Sequence, residues 1–174
     1  MISFIAKLFV ALNSNSRPGE IASGLAFGFW LALLPGGNLL WILLFAAAFF
    51  LKHNLAALLL GLAVFRSFLF LADPLLDLAG GWILQAPFLR DVFLRLAELP
   101  LVSYTRFNNT LVMGALVIGL LAWVPLYLLF LQLVRLYRKK AAPALASSRL
   151  VKTLKGVPLI SKLASAAGKI GYLG

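Results

Sequence analysis

Residues 29–45 read FWLALLPGGNLLWILLF, an apolar run interrupted at its centre by Pro35, Gly36, Gly37 and Asn38. Fourteen residues without a charge (21–34) precede the break and thirteen (39–51) follow it. At 1.5 Å per residue each arm is about 20 Å long, short of the roughly 30 Å hydrocarbon core of a bilayer. The break itself is built from turn chemistry. Pro35 lacks an N–H and disfavours helix at the residue before it, the two glycines accept positive φ, and Asn38 can cap a new helix. The arms are therefore expected to fold back as a re-entrant hairpin over residues 21–51 rather than to form one kinked span. Non-helical backbone at membrane depth needs cover from protein or a water-filled cavity, so the turn is expected to be sheltered. Gly24, Gly28 and Ala32 recur every four residues, and Ala46, Ala47 and Ala48 lie on the second arm. Small residues let helices approach closely, and the expectation is that the two arms pack on each other.

Composition supports a membrane setting. Of the 174 residues 63% are hydrophobic and only 12% charged, with a mean hydropathy of +1.00, whereas soluble domains carry about a quarter charged residues. The expected fold class is an all-α integral membrane protein: the re-entrant hairpin plus two transmembrane helices, with interfacial amphipathic helices. There is no cysteine, so neither a disulfide framework nor a thiolate metal site is available. The net charge of +11 is uneven: nine of sixteen basic residues lie from Arg135 onward without an acid, and four of five acids lie between Asp73 and Glu98. Lys and Arg beside spans stay cytoplasmic, which orients the tail inward and the acidic middle outward. Clustered Lys next to a span meets anionic lipid headgroups more readily than nucleic acid, so no nucleic-acid partner is expected.

Along the chain, residues 1–13 are apolar but too short to span and read as an interfacial helix. Residues 55–72 contain a single charge, Arg66, and form the first full span, ending at Asp73-Pro74. Residues 88–99 have the period of an amphipathic helix, with Phe88, Val92, Phe93 and Leu96 on its apolar face and Asp91 and Arg95 spaced to pair. It is expected to lie flat on the outer surface as a docking shelf. Asn108, Asn109 and Thr110 offer caps for the second span, residues 110–134, with Pro125 as a kink. Residues 141–174 form a basic amphipathic tail, and Arg138, Lys139, Lys140, Lys152, Lys155, Lys162 and Lys169 are the expected contacts to anionic lipid. Two spans and a hairpin place both termini in the cytoplasm.

Few groups can carry chemistry. His53 is the single histidine, has no ligand partners nearby, and reads as a helix cap at headgroup level. No phosphate-binding loop, paired catalytic carboxylates or Ser-His-Asp order can be assembled, so an enzyme is not expected, and neither is a cofactor or a metal. Arg66 is the informative residue, because an ionisable group inside a span faces protein or water. It either pairs with Asp73 or Asp77, or meets an anionic lipid phosphate beside the turn at Pro35, Gly36, Gly37 and Asn38.

The segment RPGEIASGLAFGFWLALLPGGNLLWILLFAAAFFLKHN, residues 17–54, resembles the bacterial membrane proteins of domain-of-unknown-function family twenty sixty-two. Pro18, Ile21, Ala22, Gly24, Ala26, Gly28, Pro35, Gly36 and Asn54 carry the likeness. Phe107, Asn108, Asn109, Thr110, Val112 and Gly114 add an FNNT start to the last span, similar to a small Gram-negative envelope subfamily. The resemblance implies a multi-pass inner-membrane protein whose relatives neighbour long AsmA-like proteins thought to bridge lipids between two membranes. The expected function is a non-enzymatic subunit that docks such a periplasmic partner and assists phospholipid transfer. The rivals are a self-sufficient transporter or channel, in which a homo-oligomer closes a pore around the turn, and a scaffold for envelope-building enzymes.

Overall fold

Pro18 sets where the first helix begins, since its missing N–H costs nothing in a first helical turn. The computed structural model describes residues 16–141. Among them lie the helices α1 (Pro18–Leu33), α2 (Leu39–Ala47), α3 (Leu55–Leu69), α4 (Asp73–Leu84), α5 (Arg90–Ala97) and α6 (Thr110–Leu136). No strand occurs among the described residues. Residues 1–15 and 142–174, which hold the predicted interfacial helix and nearly all of the basic tail, lie outside them.

At the start of α1 the Glu20 carboxylate accepts from the Arg17 N–H at 3.1 Å, one half of a capping box. The helix stops at Leu33 because Leu34, preceding Pro35, adopts extended backbone with ψ 131°, as a residue before proline does. Gly37 has φ +83°, and Asn38 Oδ1 accepts from the Trp41 N–H at 2.8 Å to start α2. The break thus forms where the sequence places it.

After α2 and a 3-10 turn at Ala48–Phe50, the chain returns to where it set out. The Asn54 N–H donates to the Glu20 carbonyl at 2.9 Å, and Asn54 Nδ2 donates to Ser16 Oγ at 2.8 Å. Asn54 Oδ1 in turn accepts from the Ala57 N–H at 2.8 Å and caps α3. Residues 20–54 are a closed helical hairpin whose two ends are tied by one asparagine. Asn54→Ala removes the cap and the Ser16 tie together and is expected to cost about 1 to 2 kcal/mol, measured as a lowered melting midpoint of the detergent-solubilised protein.

The small-residue stripe works differently from the expectation. A Cβ on Gly24 would stand 2.5 Å from the Asn54 carbonyl oxygen, and one on Gly28 would stand 2.5 Å from that of Leu58. The stripe therefore seats α1 on α3, the two running parallel, and α2 makes only slight contact with α1. Ala46 is exposed, although Ala48 is buried. The reason is geometric: α2 faces the rest of the protein with Trp41, Leu44 and Phe45, which are too large for the close approach that glycine allows.

Helices α3 and α4 join through a 3-10 turn at Phe70–Ala72 into an apolar helical run, Leu55–Leu84. The predicted span 55–72 is the first part of this run, and Pro74 stands in the first turn of α4. Asn109 Oδ1 caps α6 through the Val112 N–H at 3.0 Å, and Pro125 lies inside that helix. Two helical stretches, Leu55–Leu84 and Thr110–Lys140, are long and apolar enough to cross a membrane.

α1 and α4 follow one another along α6, which runs antiparallel to both. Trp30 of α1 covers Gly119, while Gly80 of α4 lies on the Thr110 carbonyl and Gly114 of α6 on that of Leu76. The core sits where these three helices meet α3, with Phe27, Leu31, Leu34, Leu58, Leu76 and Ala115 buried together.

Candidate functional site

The last turn of a helix leaves carbonyls without intrahelical partners, and Pro35 ends α1 abruptly. Side chains from two other elements take them up. Arg66 of α3 donates from Nη1 to the Ala32 carbonyl at 2.8 Å and to the Leu34 carbonyl at 3.2 Å. Trp41 of α2 donates from Nε1 to the Leu31 carbonyl at 3.1 Å. Asn38, only 4% exposed, donates from Nδ2 to the Pro35 carbonyl at 2.7 Å while its Oδ1 caps α2. Protein covers the carbonyl side of the turn, whereas Gly36 and Gly37 are exposed with open space around them.

Of the two alternatives open for Arg66, pairing with Asp73 or Asp77 does not occur: its partners are the Ala32 and Leu34 carbonyls. Asp77 instead accepts from the Thr110 hydroxyl, and Asp73 stands in the first turn of α4, where a carboxylate suits the helix dipole. Both aspartates lie beyond the 3-10 turn at Phe70–Ala72, and Asp77, eleven residues from Arg66, would stand about 17 Å away along a helix axis. The negative partner of Arg66 is a helix C-terminus, whose free carbonyls carry partial negative charge.

Beside Arg66 an open groove of about 530 Å³ runs along α3. Its walls are apolar, from Leu31, Leu34, Trp41, Leu59 and Leu62, and Gly36, Ala63, Arg66 and Ser67 complete it. Arg66 is the one charged residue in the lining. A guanidinium has five N–H donors and keeps its charge. Nη1 is occupied by the two carbonyls, while Nε and Nη2 have no acceptor among the described residues. Of the predicted turn residues, Gly36 joins Arg66 at the groove, and Pro35 and Asn38 shape the turn. Trp41 is the member that sequence reasoning missed; an indole one turn after the break was the available signal.

The other predicted residues lie apart from the groove. Phe88 falls in a 3-10 turn (Pro87–Leu89) ahead of α5 and is 82% exposed; Val92 is also exposed, and Phe93 and Leu96 are half-buried. The Phe93 ring lies 6.2 Å from that of Phe107. Asp91 and Arg95 do not form the predicted ion pair; no acceptor for Arg95 occurs among the described residues. Arg138 donates from Nη2 to the Ser16 carbonyl at 2.9 Å, which ties the end of α6 to the start of the hairpin. Lys139 and Lys140 are exposed, and Lys152, Lys155, Lys162 and Lys169 lie outside the described residues.

His53 is not the cap it was expected to be, because Asn54 holds that role. The imidazole stacks on Phe27 with centroids 5.6 Å apart, and both ring nitrogens are buried without a partner among the described residues. Burial lowers its pKa from the usual value, so folding favours the neutral ring. The associated stability is complete above the ordinary histidine pKa of about 6.5 and is lost as pH falls below it toward the lowered folded value. His53→Phe, which keeps the stack, is expected to flatten the fall in melting temperature that the native protein shows below about pH 6.5.

A family model described as uncharacterized proteins conserved in bacteria, DUF2062, matches residues 3–142. The chain belongs to the DUF2062 family. An uncharacterized protein of Treponema pallidum (strain Nichols) is 38% identical over 162 residues, covering 93% of this chain and all of the relative. No solved structure matches the chain. The family match takes in the hairpin, the Arg66 groove and the whole of α6.

Proposed function

We propose that this DUF2062 protein is a non-enzymatic, multi-pass inner-membrane subunit that admits phospholipid at the Arg66 groove and passes it to a docked periplasmic partner of AsmA-like type. The observation that carries the reading is the groove itself: an apolar slot with one permanently charged group, opening beside a hairpin turn. Arg66 is eleven residues into α3, about 17 Å along its axis, close to half of a 30 Å hydrocarbon core. Polar groups at such depth line ligand pathways or pair internally, and this guanidinium is only partly paired. The exposed apolar side chains of α6, among them Leu120, Leu121, Val124 and Leu128, suit lipid contact and support the integral-membrane reading.

In this reading 21–51 is a re-entrant hairpin with both termini of the chain cytoplasmic. Arg138, Lys139 and Lys140 then meet the anionic inner leaflet, and Phe88 and Val92 present an apolar docking face outside. The reading predicts that the full chain copurifies with a large envelope partner and that its deletion alters outer-membrane phospholipid. A partner-free protein whose deletion leaves that lipid unchanged overturns it. Solute flux from the purified protein alone in liposomes would assign it instead to the transporters.

A further inference from the structure

The groove beside α3 has a chemical polarity that its shape alone does not express. Nη1 of Arg66 is held by the Ala32 and Leu34 carbonyls at 2.8 and 3.2 Å, which fixes the plane of the guanidinium and points its opposite edge away from α1. That edge carries the Nε–H and an Nη2–H in parallel, the fork that binds two oxygens of one phosphate. Neither donor has an acceptor among the described residues, and no carboxylate neutralises the charge there. Next to this fork the walls are Leu31, Leu34, Leu59 and Leu62, which offer nothing to a hydrated inorganic ion but do offer van der Waals contact to hydrocarbon.

We propose that Arg66 binds the monoanionic phosphodiester of a phospholipid through Nε and Nη2, with the first carbons of the acyl chains along Leu59 and Leu62 and the headgroup toward the Gly36–Gly37 turn. One fixed positive charge matches one phosphodiester charge. A volume of about 530 Å³ holds a headgroup and the upper part of the chains, not a whole lipid, so the tails extend into the surrounding bilayer. The same Arg66 therefore has two roles on its two edges: one closes the end of α1 and the other receives the phosphate. The assignment rests on the reading of the protein as a phospholipid-handling subunit and names the part of the lipid that is recognised.

The test is direct binding by calorimetry to the full chain in neutral detergent, with three probes. These are a short-chain phosphatidylglycerol, the diacylglycerol with the same chains, and glycerophosphoglycerol, which has the phosphate and no chains. The phospholipid is expected to bind at least about tenfold tighter than the diacylglycerol, as a charge-assisted bidentate contact requires. Arg66→Gln is expected to erase that preference. Because Arg66→Gln also weakens the end of α1, Ala63→Trp serves as the second variant: it fills the groove without touching the carbonyl contacts and is expected to abolish binding with an unchanged melting temperature. Binding of glycerophosphoglycerol as tight as that of the lipid overturns the lipid assignment and gives the anion site to a soluble phosphate ester. Equal binding of diacylglycerol, or a preference that survives both substitutions, overturns the proposal. No partner takes part, so failure here leaves the copurification test standing, and failure there leaves this site intact.

Discussion

Gly114→Ala is expected to destabilise the detergent-solubilised protein by about 3 kcal/mol, the upper end of what overpacking costs. A single methyl has this effect because of what it meets. The Cβ would overlap the Leu76 carbonyl, just as a Cβ on Gly80 would overlap the Thr110 carbonyl. Backbone cannot rotate away as a side chain does, so α4 and α6 would have to separate and give up the burial of Leu76, Val112 and Ala115. The neighbour in sequence supplies the contrast: a methyl added at Gly81 would have Thr110 Cγ2 as its nearest atom, at 3.9 Å. Gly81→Ala is expected to be neutral or to gain up to about 1 kcal/mol in helix propensity. Unfolding followed by tryptophan fluorescence during an SDS titration separates the two, and equal midpoints for the two variants would mean that α4 and α6 do not cross at Gly80. Gly80→Ala and Gly114→Ala combined are expected to cost less than their sum, since the first methyl already opens the space for the second.

That crossing shows how far reading residues can go. The break at residues 35–38, the cap at Asn38 and the cap at Asn109 are local chemistry, and each lies where the chain places it. Which helix a small-residue stripe receives is not local. Gly24 and Gly28 announce a close contact without saying with what, and the natural guess, the adjacent arm, is wrong because α2 is short and lined with Trp41, Leu44 and Phe45. Arg66 is legible for the same reason that Asn38 is, as a polar group where hydrocarbon is expected. Its partner is not, because a helix C-terminus is a property of backbone geometry and no residue letter encodes it. Weighing carboxylates alone leads to Asp73 and Asp77, which lie beyond the 3-10 turn at Phe70–Ala72, with Asp77 engaged by Thr110.

Arg66→Met is expected to lower stability by about 2 to 3 kcal/mol, the range for hydrogen bonds to a charged donor whose acceptors are left unpaired. Methionine keeps most of the apolar stem, so the loss reports the Ala32 and Leu34 carbonyls rather than packing. Arg66→Lys is expected to recover part of it, because an ammonium restores the charge at the end of α1 without the planar fork. Trp41→Phe, which removes one neutral hydrogen bond to the Leu31 carbonyl, is expected to cost about 1 kcal/mol. The damage should be local first. With its last carbonyls uncovered the C-terminal turn of α1 frays, and hydrogen exchange is expected to quicken around residues 33–41 before it does at the Gly80–Gly114 crossing. Exchange that rises at both places together would mean that Arg66 supports the whole helical core instead of the hairpin tip, and an Arg66→Met protein as stable as the native one would leave the turn held by Asn38 and Trp41 alone.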